Sequence, residues 1–355
     1  MKQFLLSIYF ILRVPLLFLV KLALPARMKK PEAIIRILVI RLDRIGDFVT
    51  SLALIKNLAV AFPGAKVDVL VRPYLADLAR LDRHIDHVLV YEGFSRTARR
   101  LKANRYDIVI DPLFDYTVKT ALFSLASGAP TRAGFAWGFR EVLFTHAVSR
   151  AATRGKKMAD VHLELLKALE IPVRFTIPDL EVPRHTSEGL LVVSVHPGGF
   201  YPAQHWPRDN FVAVIQSIIK KHKAVVRVIA CAHEKDLADY IVTQVNSPSA
   251  EAVFPGTTAE LVSVLAASDV VLCNNSGPLH IAAALGVPTV STMGPTDPVL
   301  WQPAGEKNIV IRKDLTCSPC SKAVCSHHRC LASITPEDVF QAVEDAITRF
   351  VKKAV

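Results

Sequence analysis

One carboxylate, three glycine-centred turns and a run of thiols carry the chemistry available to this sequence. Asp47 follows Gly46 just after the apolar run Arg36–Ile40, where a helix is predicted over Phe48–Ala61. Gly46 permits a tight turn and close approach of a ligand. A carboxylate at a helix start is favoured by the helix dipole, and serves as a cap or as a proton acceptor in a cleft. His196-Pro197-Gly198-Gly199 follows the apolar run Leu190–Val195. Its glycines let backbone N–H groups approach phosphate oxygens. Asn275-Ser276-Gly277-Pro278 follows Val270–Cys273 and opens a short Ala-rich helix, closed by Gly286 and Pro288. Proline suits the first turn, and the N–H groups there favour an anion such as a diphosphate. Gly294-Pro295-Thr296-Asp297 turns away from the next strand, Thr289–Met293. Two such loops at the carboxyl ends of adjacent parallel strands form the ligand crevice of an open α/β sheet, although the same spacing also suits two ordinary strand–helix loops. Cys317, Cys320, Cys325 and Cys330, with His327 and His328 between them, suit structural zinc, reversible disulfides or free thiols.

The elements that must position these groups alternate. Strands are predicted at Lys66–Val71, His87–Tyr91, Tyr106–Asp111 and Val225–Ala230. Helices are predicted over Tyr74–Leu81, Ser95–Asn104, Tyr116–Ala126, Asp160–Leu169 and Asp209–Lys221. Capping boxes at Thr257–Glu260 and Thr335–Asp338 start two more. Strand–helix alternation implies doubly wound parallel sheets. Pro172, Pro178 and Pro183 punctuate a linker, so the expected domains are 35–170 and 185–355. The three spaced glycines of a dinucleotide fingerprint are missing, which argues against a nicotinamide-dependent oxidoreductase.

The 355 residues are 51% hydrophobic, enough for a large core and against disorder. A formal charge of +11 suits nucleic acid, an acidic membrane surface or an anionic substrate. No nucleic-acid-binding signature accompanies it, so nucleic acid ranks last. Six cysteines are too few for a disulfide scaffold and fit a reducing cytosol. Phe4–Leu24 is nearly all apolar, interrupted by Arg13 and Pro15 and flanked by lysines and arginines. A signal peptide, a single span and a membrane-surface helix all fit its length. A central Arg costs a span about 2.5–3.5 kcal/mol. Membrane attachment of segment 1–30 is expected over a helix packed on the domain.

The motifs, taken together, resemble glycosyltransferase family nine, the ADP-heptose:lipopolysaccharide heptosyltransferases. The resemblance rests on Arg41-Leu42-Asp43-Arg44-Ile45-Gly46-Asp47, His196-Pro197-Gly198-Gly199, Trp206-Pro207, Asn275-Ser276-Gly277-Pro278-Leu279-His280 and Gly294-Pro295-Thr296-Asp297-Pro298. It covers nearly all of the chain after residue 35. It implies a GT-B fold: two Rossmann-like domains facing a cleft, here with an apolar N-terminal helix. It also implies inverting, metal-independent transfer of a sugar, with no cofactor. Asp47 would be the general base. Gly198, Gly199, Gln204, Glu234, Asn275, Ser276, Gly277, His280, Gly294, Pro295 and Thr296 would hold the nucleotide sugar. Gly46 and Arg132 (or Arg140) would meet the acceptor, a lipopolysaccharide core or lipid-linked glycan at the cytoplasmic face of the inner membrane. Glu234 would hold the ribose, unless it is only a charge at a helix start. His280 would reach a phosphate, unless it is only a packed histidine. Two departures stand out. Gln204 occupies a position where relatives usually carry Lys, leaving His205 as a candidate cation. Asn275 replaces the family's Asp. A weakly catalytic binding protein and a different donor sugar are therefore the alternatives.

Overall fold

The computed structural model describes residues 33–184 and 189–351, with Pro15 alone ahead of them. Two compact units divide the chain. One holds the described residues up to Asp43 together with Ser51–Thr176; the other holds Arg44–Thr50 and the chain from Ile177 onward. The boundary at Thr176 falls inside the proline-punctuated linker.

The first unit is a six-stranded sheet of β1 (Arg36–Arg41), β2 (Lys66–Val71), β3 (His87–Val90), β4 (Ile108–Asp111), β5 (Thr131–Ala136) and β6 (His146–Ser149). Its order is β3-β2-β1-β4-β5-β6, and every pairing is parallel. The second unit repeats this order with β7 (Leu191–His196), β8 (Ala224–Ile229), β9 (Ala250–Val253), β10 (Val270–Asn274), β11 (Thr289–Thr292) and β12 (Asn308–Ile311). There the order is β12-β11-β10-β7-β8-β9, again all parallel. Central strands β1, β7 and β10 are mostly apolar and buried almost end to end because helices cover both faces. In register, Leu272 of β10 lies between Val195 of β7 and Val290 of β11. The strand order reverses between β7 and β10, so the loops that follow these two strands flank the switch point of the sheet. Under the second sheet, Trp206 and Phe211 meet edge to face, 4.9 Å apart, in a core with Val193, Val195 and Leu272.

The helix predicted over Phe48–Ala61 is two helices, α1 (Ile45–Thr50) and α2 (Leu52–Ala61), broken at Ser51. The break separates Gly46 and Asp47 from the helix that follows them. Their helix is counted with the carboxyl-terminal unit, because it lies directly on α4 of that unit (Gly277–Ala284, after α3 at Arg208–Lys221). The last helix, α5 (Pro336–Phe350), starts with the expected reciprocal cap of Thr335 and Asp338. At Thr257 only half of the expected box forms: its hydroxyl accepts from Glu260 N–H, while the Glu260 carboxylate takes Gly256 N–H instead. The apolar segment 1–30, its helix and its membrane attachment lie outside the described residues, Pro15 aside. Among the described residues, no helix is long and apolar enough to cross a membrane.

Candidate active site

The loop after β7 is fixed from two sides. Asn274, the last residue of β10, is fully buried and uses all four of its amide's main hydrogen-bonding directions. Its Nδ2 donates to the carbonyls of Pro197 (2.6 Å) and Gly198 (3.1 Å). Its Oδ1 accepts from Trp206 N–H (3.1 Å) and Thr292 Oγ1 (2.9 Å). In a trans peptide N–H and C=O point opposite ways. Turning the carbonyls of Pro197 and Gly198 inward therefore turns the N–H groups of Gly198 and Gly199 outward.

Glu234 takes one of those donors. It accepts from Gly199 N–H at 2.9 Å, and the Cys231 thiol and backbone N–H donate to its other oxygen at 2.8 and 3.3 Å. His196 Nε2 stands 3.5 Å from that same oxygen. Burial alone would raise the Glu234 carboxyl. The hydrogen bond and charge of His196, with the Cys231 donors, overcome this and hold it well below the ordinary carboxylate range. Burial and the same carboxylate push the Cys231 thiol up to about 12. A Cβ on Gly198 would fall within the Glu234 carboxylate, so glycine is needed here for close approach. Glu234 thus braces the loop after β7, and both its oxygens are engaged within the protein. Gly199 N–H is therefore engaged within the protein. His205, the candidate cation, donates from Nε2 to the Gly199 carbonyl at 2.8 Å.

The loop after β10 starts α4. Ser276 Oγ lies 3.2 Å from His196 Nδ1, joining this loop to the β7 loop. Asn275 is 8% exposed, and among the described residues its side chain makes no hydrogen bond, so its amide is an open polar group at the switch point. Gln204 Nε2 donates to Thr296 Oγ1 at 2.9 Å, linking the β7 loop to the loop after β11. That third loop is held by its carbonyls: Ser318 Oγ donates to Gly294 (2.6 Å), and the N–H groups of Cys320 and Ser321 donate to Pro295 (2.9 and 2.7 Å). Leu331 would sit 2.6 Å from a Cβ on Gly294.

Asp47 lies in the first turn of α1, beside these loops. Two glycines set the approach. A Cβ on Gly46 would meet His280 Cδ2 at 2.8 Å, and one on Gly277 would meet Ile45 at 2.9 Å. The Asp47 carboxylate is partly exposed and 3.4 Å from Arg44 Nε, whose guanidinium also lies over the rings of Phe200 and Tyr201. His280 is buried beneath α1. Burial pushes its imidazole down to about 4, against the pull of Asp47, so it is neutral at pH 7. It sits edge to face with Trp301. His280 is thus a neutral, packed imidazole in the first turns of α4.

Residues 94–331 match the model of glycosyltransferase family 9 (heptosyltransferase). The chain belongs to glycosyltransferase family 9. Over 339 residues it is 25% identical to lipopolysaccharide heptosyltransferase 2 of Escherichia coli, covering 86% of this chain and 97% of that protein. It is also 25% identical, over 317 residues, to lipopolysaccharide heptosyltransferase 1 of Pseudomonas aeruginosa, covering 82% and 88%. Its fold is similar to the solved ADP-heptose lps heptosyltransferase II of E. coli, at TM-score 0.76 and 22% identity, covering 89% of this chain and 99% of that one.

In this glycosyltransferase the expected acceptor residue Arg132 is turned inward. It is buried, donating from Nε to the Leu143 carbonyl (3.0 Å) and from Nη1 to that of Ala129 (2.6 Å). Desolvation lowers its pKa. Arg140 is also buried, paired with Asp111 and donating to the carbonyls of Leu113 and Asp115. Both arginines clasp the backbone of the first unit and neither presents a free fork to an anion. Cys317 and Cys320 are exposed and Cys330 is buried, and all are free thiols. Among the described residues, the one group of three Cys, His or carboxylate side chains close enough to share an ion is Cys231, His233 and Glu234. Asn274 and His196 hold the loops, a bracing role that neither motif announces. The signal for Asn274 is an amide ending an otherwise apolar strand, where burial requires several partners.

Proposed function

We propose that this glycosyltransferase moves heptose from ADP-heptose onto a lipopolysaccharide core or a related lipid-linked acceptor, with inversion and without a metal in catalysis. Asp47 takes the proton of an acceptor hydroxyl, the oxygen attacks the anomeric carbon, and ADP leaves. Gly198 N–H, the first turn of α4 and Thr296 receive the diphosphate, and Asn275 receives sugar hydroxyls. The observation that carries this reading is the seating of α1 on α4. It brings a carboxylate from residue 47 into the same compact unit as three loops from residues 197–297. The relatives' names support the donor and the acceptor. The +11 charge suits an anionic acceptor and, with the apolar segment 1–30, a place at the cytoplasmic face of the inner membrane. Asp47→Asn should abolish transfer of heptose, read by mass spectrometry of the product, while ADP binding by calorimetry stays within about threefold. Retained transfer would remove Asp47 from the mechanism.

A second reading, a weakly catalytic relative, is favoured by one observation: Gln204 meets Thr296 where a cation would neutralise the leaving group.

A further inference from the structure

We propose that Cys231, His233 and Glu234 form a site for a soft or borderline divalent cation such as Zn²⁺, beside the loop of Gly198 and Gly199. The three come from four consecutive residues at the carboxyl end of β8, within one 3-10 turn (Ala232–Glu234). Their ligand atoms all lie within 4.8 Å of one another. Cys231 Sγ is 3.3 Å from His233 Nδ1, 3.5 Å from His233 Nε2 and 2.8 Å from Glu234 Oε2. Tetrahedral zinc with bonds of about 2.3 Å to sulfur and about 2.0 Å to nitrogen spaces two such ligands about 3.5 Å apart. The sulfur–imidazole separation already matches, and the sulfur–carboxylate pair must open by about 0.7 Å once it no longer shares a proton. On binding, the S–H bond breaks, a sulfur–zinc bond forms, and the proton goes to solvent. Thiolate, imidazole and carboxylate together select Zn²⁺ over Mg²⁺ or Ca²⁺. Three protein ligands leave the fourth position to water.

The carboxylate is already oriented for this. Oε1 of Glu234 accepts from Gly199 N–H, so Oε2 is the oxygen that meets the cation, in place of the Cys231 thiol proton; it keeps the Cys231 backbone N–H and lies 3.5 Å from His196 Nε2. A carboxylate fixed through its other oxygen is the usual support behind a metal ligand. The same arrangement joins the cation to the phosphate loop through one side chain. The set is separate from the four cysteines between Cys317 and Cys330, and the proposal stands whatever sugar the enzyme transfers.

The test is residue-resolved alkylation of the full chain, with each cysteine read by peptide mass spectrometry. Zn²⁺ should slow modification of Cys231 at least tenfold, and Mg²⁺ should leave it unchanged. Removing groups that merely support a metal ligand weakens binding about 10–100-fold, so loss of a ligand should do at least as much. Protection should therefore vanish in His233→Ala, a change at an exposed side chain. Unchanged alkylation of Cys231 with Zn²⁺, or protection that persists in His233→Ala, overturns the site. Equilibrium dialysis gives a second measurement: Cys231→Ser should bind one Zn²⁺ fewer than the unaltered chain, and equal stoichiometry refutes the proposal.

Discussion

Asn274→Asp is nearly isosteric, yet it should be severely destabilising, and increasingly so as pH rises. The two carbonyls that accept from Nδ2, those of Pro197 and Gly198, would face an oxygen in a fully buried place. The new carboxyl can remain there only by keeping a proton, which then serves one carbonyl and leaves the other unpaired. An unfolded Asp titrates near about 3.9, so holding the proton at pH 7 costs about 1.4 kcal/mol for each of about three units, or about 4 kcal/mol. The lost hydrogen bond adds about 1 kcal/mol. At pH 4.5 the first cost shrinks to about 1 kcal/mol. The folded pKa is raised, so stability is present at low pH and lost as pH rises above about 4. The destabilisation should grow from about 2 kcal/mol at pH 4.5 to about 5 kcal/mol at pH 7. Urea unfolding followed by tryptophan fluorescence measures it, because Trp206 lies in the core of the same unit and donates its N–H to Asn274. Asn274→Leu removes the same bonds without a titrating group and should show a loss independent of pH. If Asn274→Asp costs under 1 kcal/mol at pH 7, or costs the same at both pH values, the bracing role of this amide is wrong.

Gly46→Ala puts a methyl against His280 and shifts α1 by tenths of an ångström; kcat should fall by up to about 10²-fold with KM for the donor little changed, and wild-type turnover would show that the seating of α1 does not position Asp47. His280 has its pKa pushed from 6.5 down to about 4. The unfolded chain therefore binds a proton that the folded chain refuses, and stability should fall by about 3 kcal/mol between pH 6.5 and pH 4. Thermal melts of His280→Gln across that window should be flatter than wild type, and parallel curves would refute the neutral assignment. Gln204→Lys combined with Asn275→Asp should raise turnover with ADP-heptose at least tenfold if the chemistry has decayed, and leave or lower it if the natural residues serve a different donor; a product assay with matched donors separates the two.

Periodicity and turn chemistry were enough to read most of the fold. Mainly apolar runs such as RILVI and LLVVSV demand strands covered on both faces, and the Gly and Pro that bound the helices fixed their ends. Edge strands were less legible: β9 (AEAV) and β12 (NIVI) are only partly buried, so no strong apolar pattern is required of them. The break at Ser51 was also hidden, because α1 and α2 share one apolar periodicity in sequence while packing in different units.

The sequence by itself determined the doubly wound sheets and the family, because local pattern and motif spacing are properties of neighbouring residues. Only the tertiary structure decided what each polar group does. It committed Glu234 to the loop after β7, turned Arg132 onto backbone carbonyls, kept His280 neutral under α1, and made Asn274 the tie among three strands' loops. A side chain's role depends on its burial and on partners far away in sequence, such as Ser276 beside His196, 80 positions apart, and these are set when the chain packs.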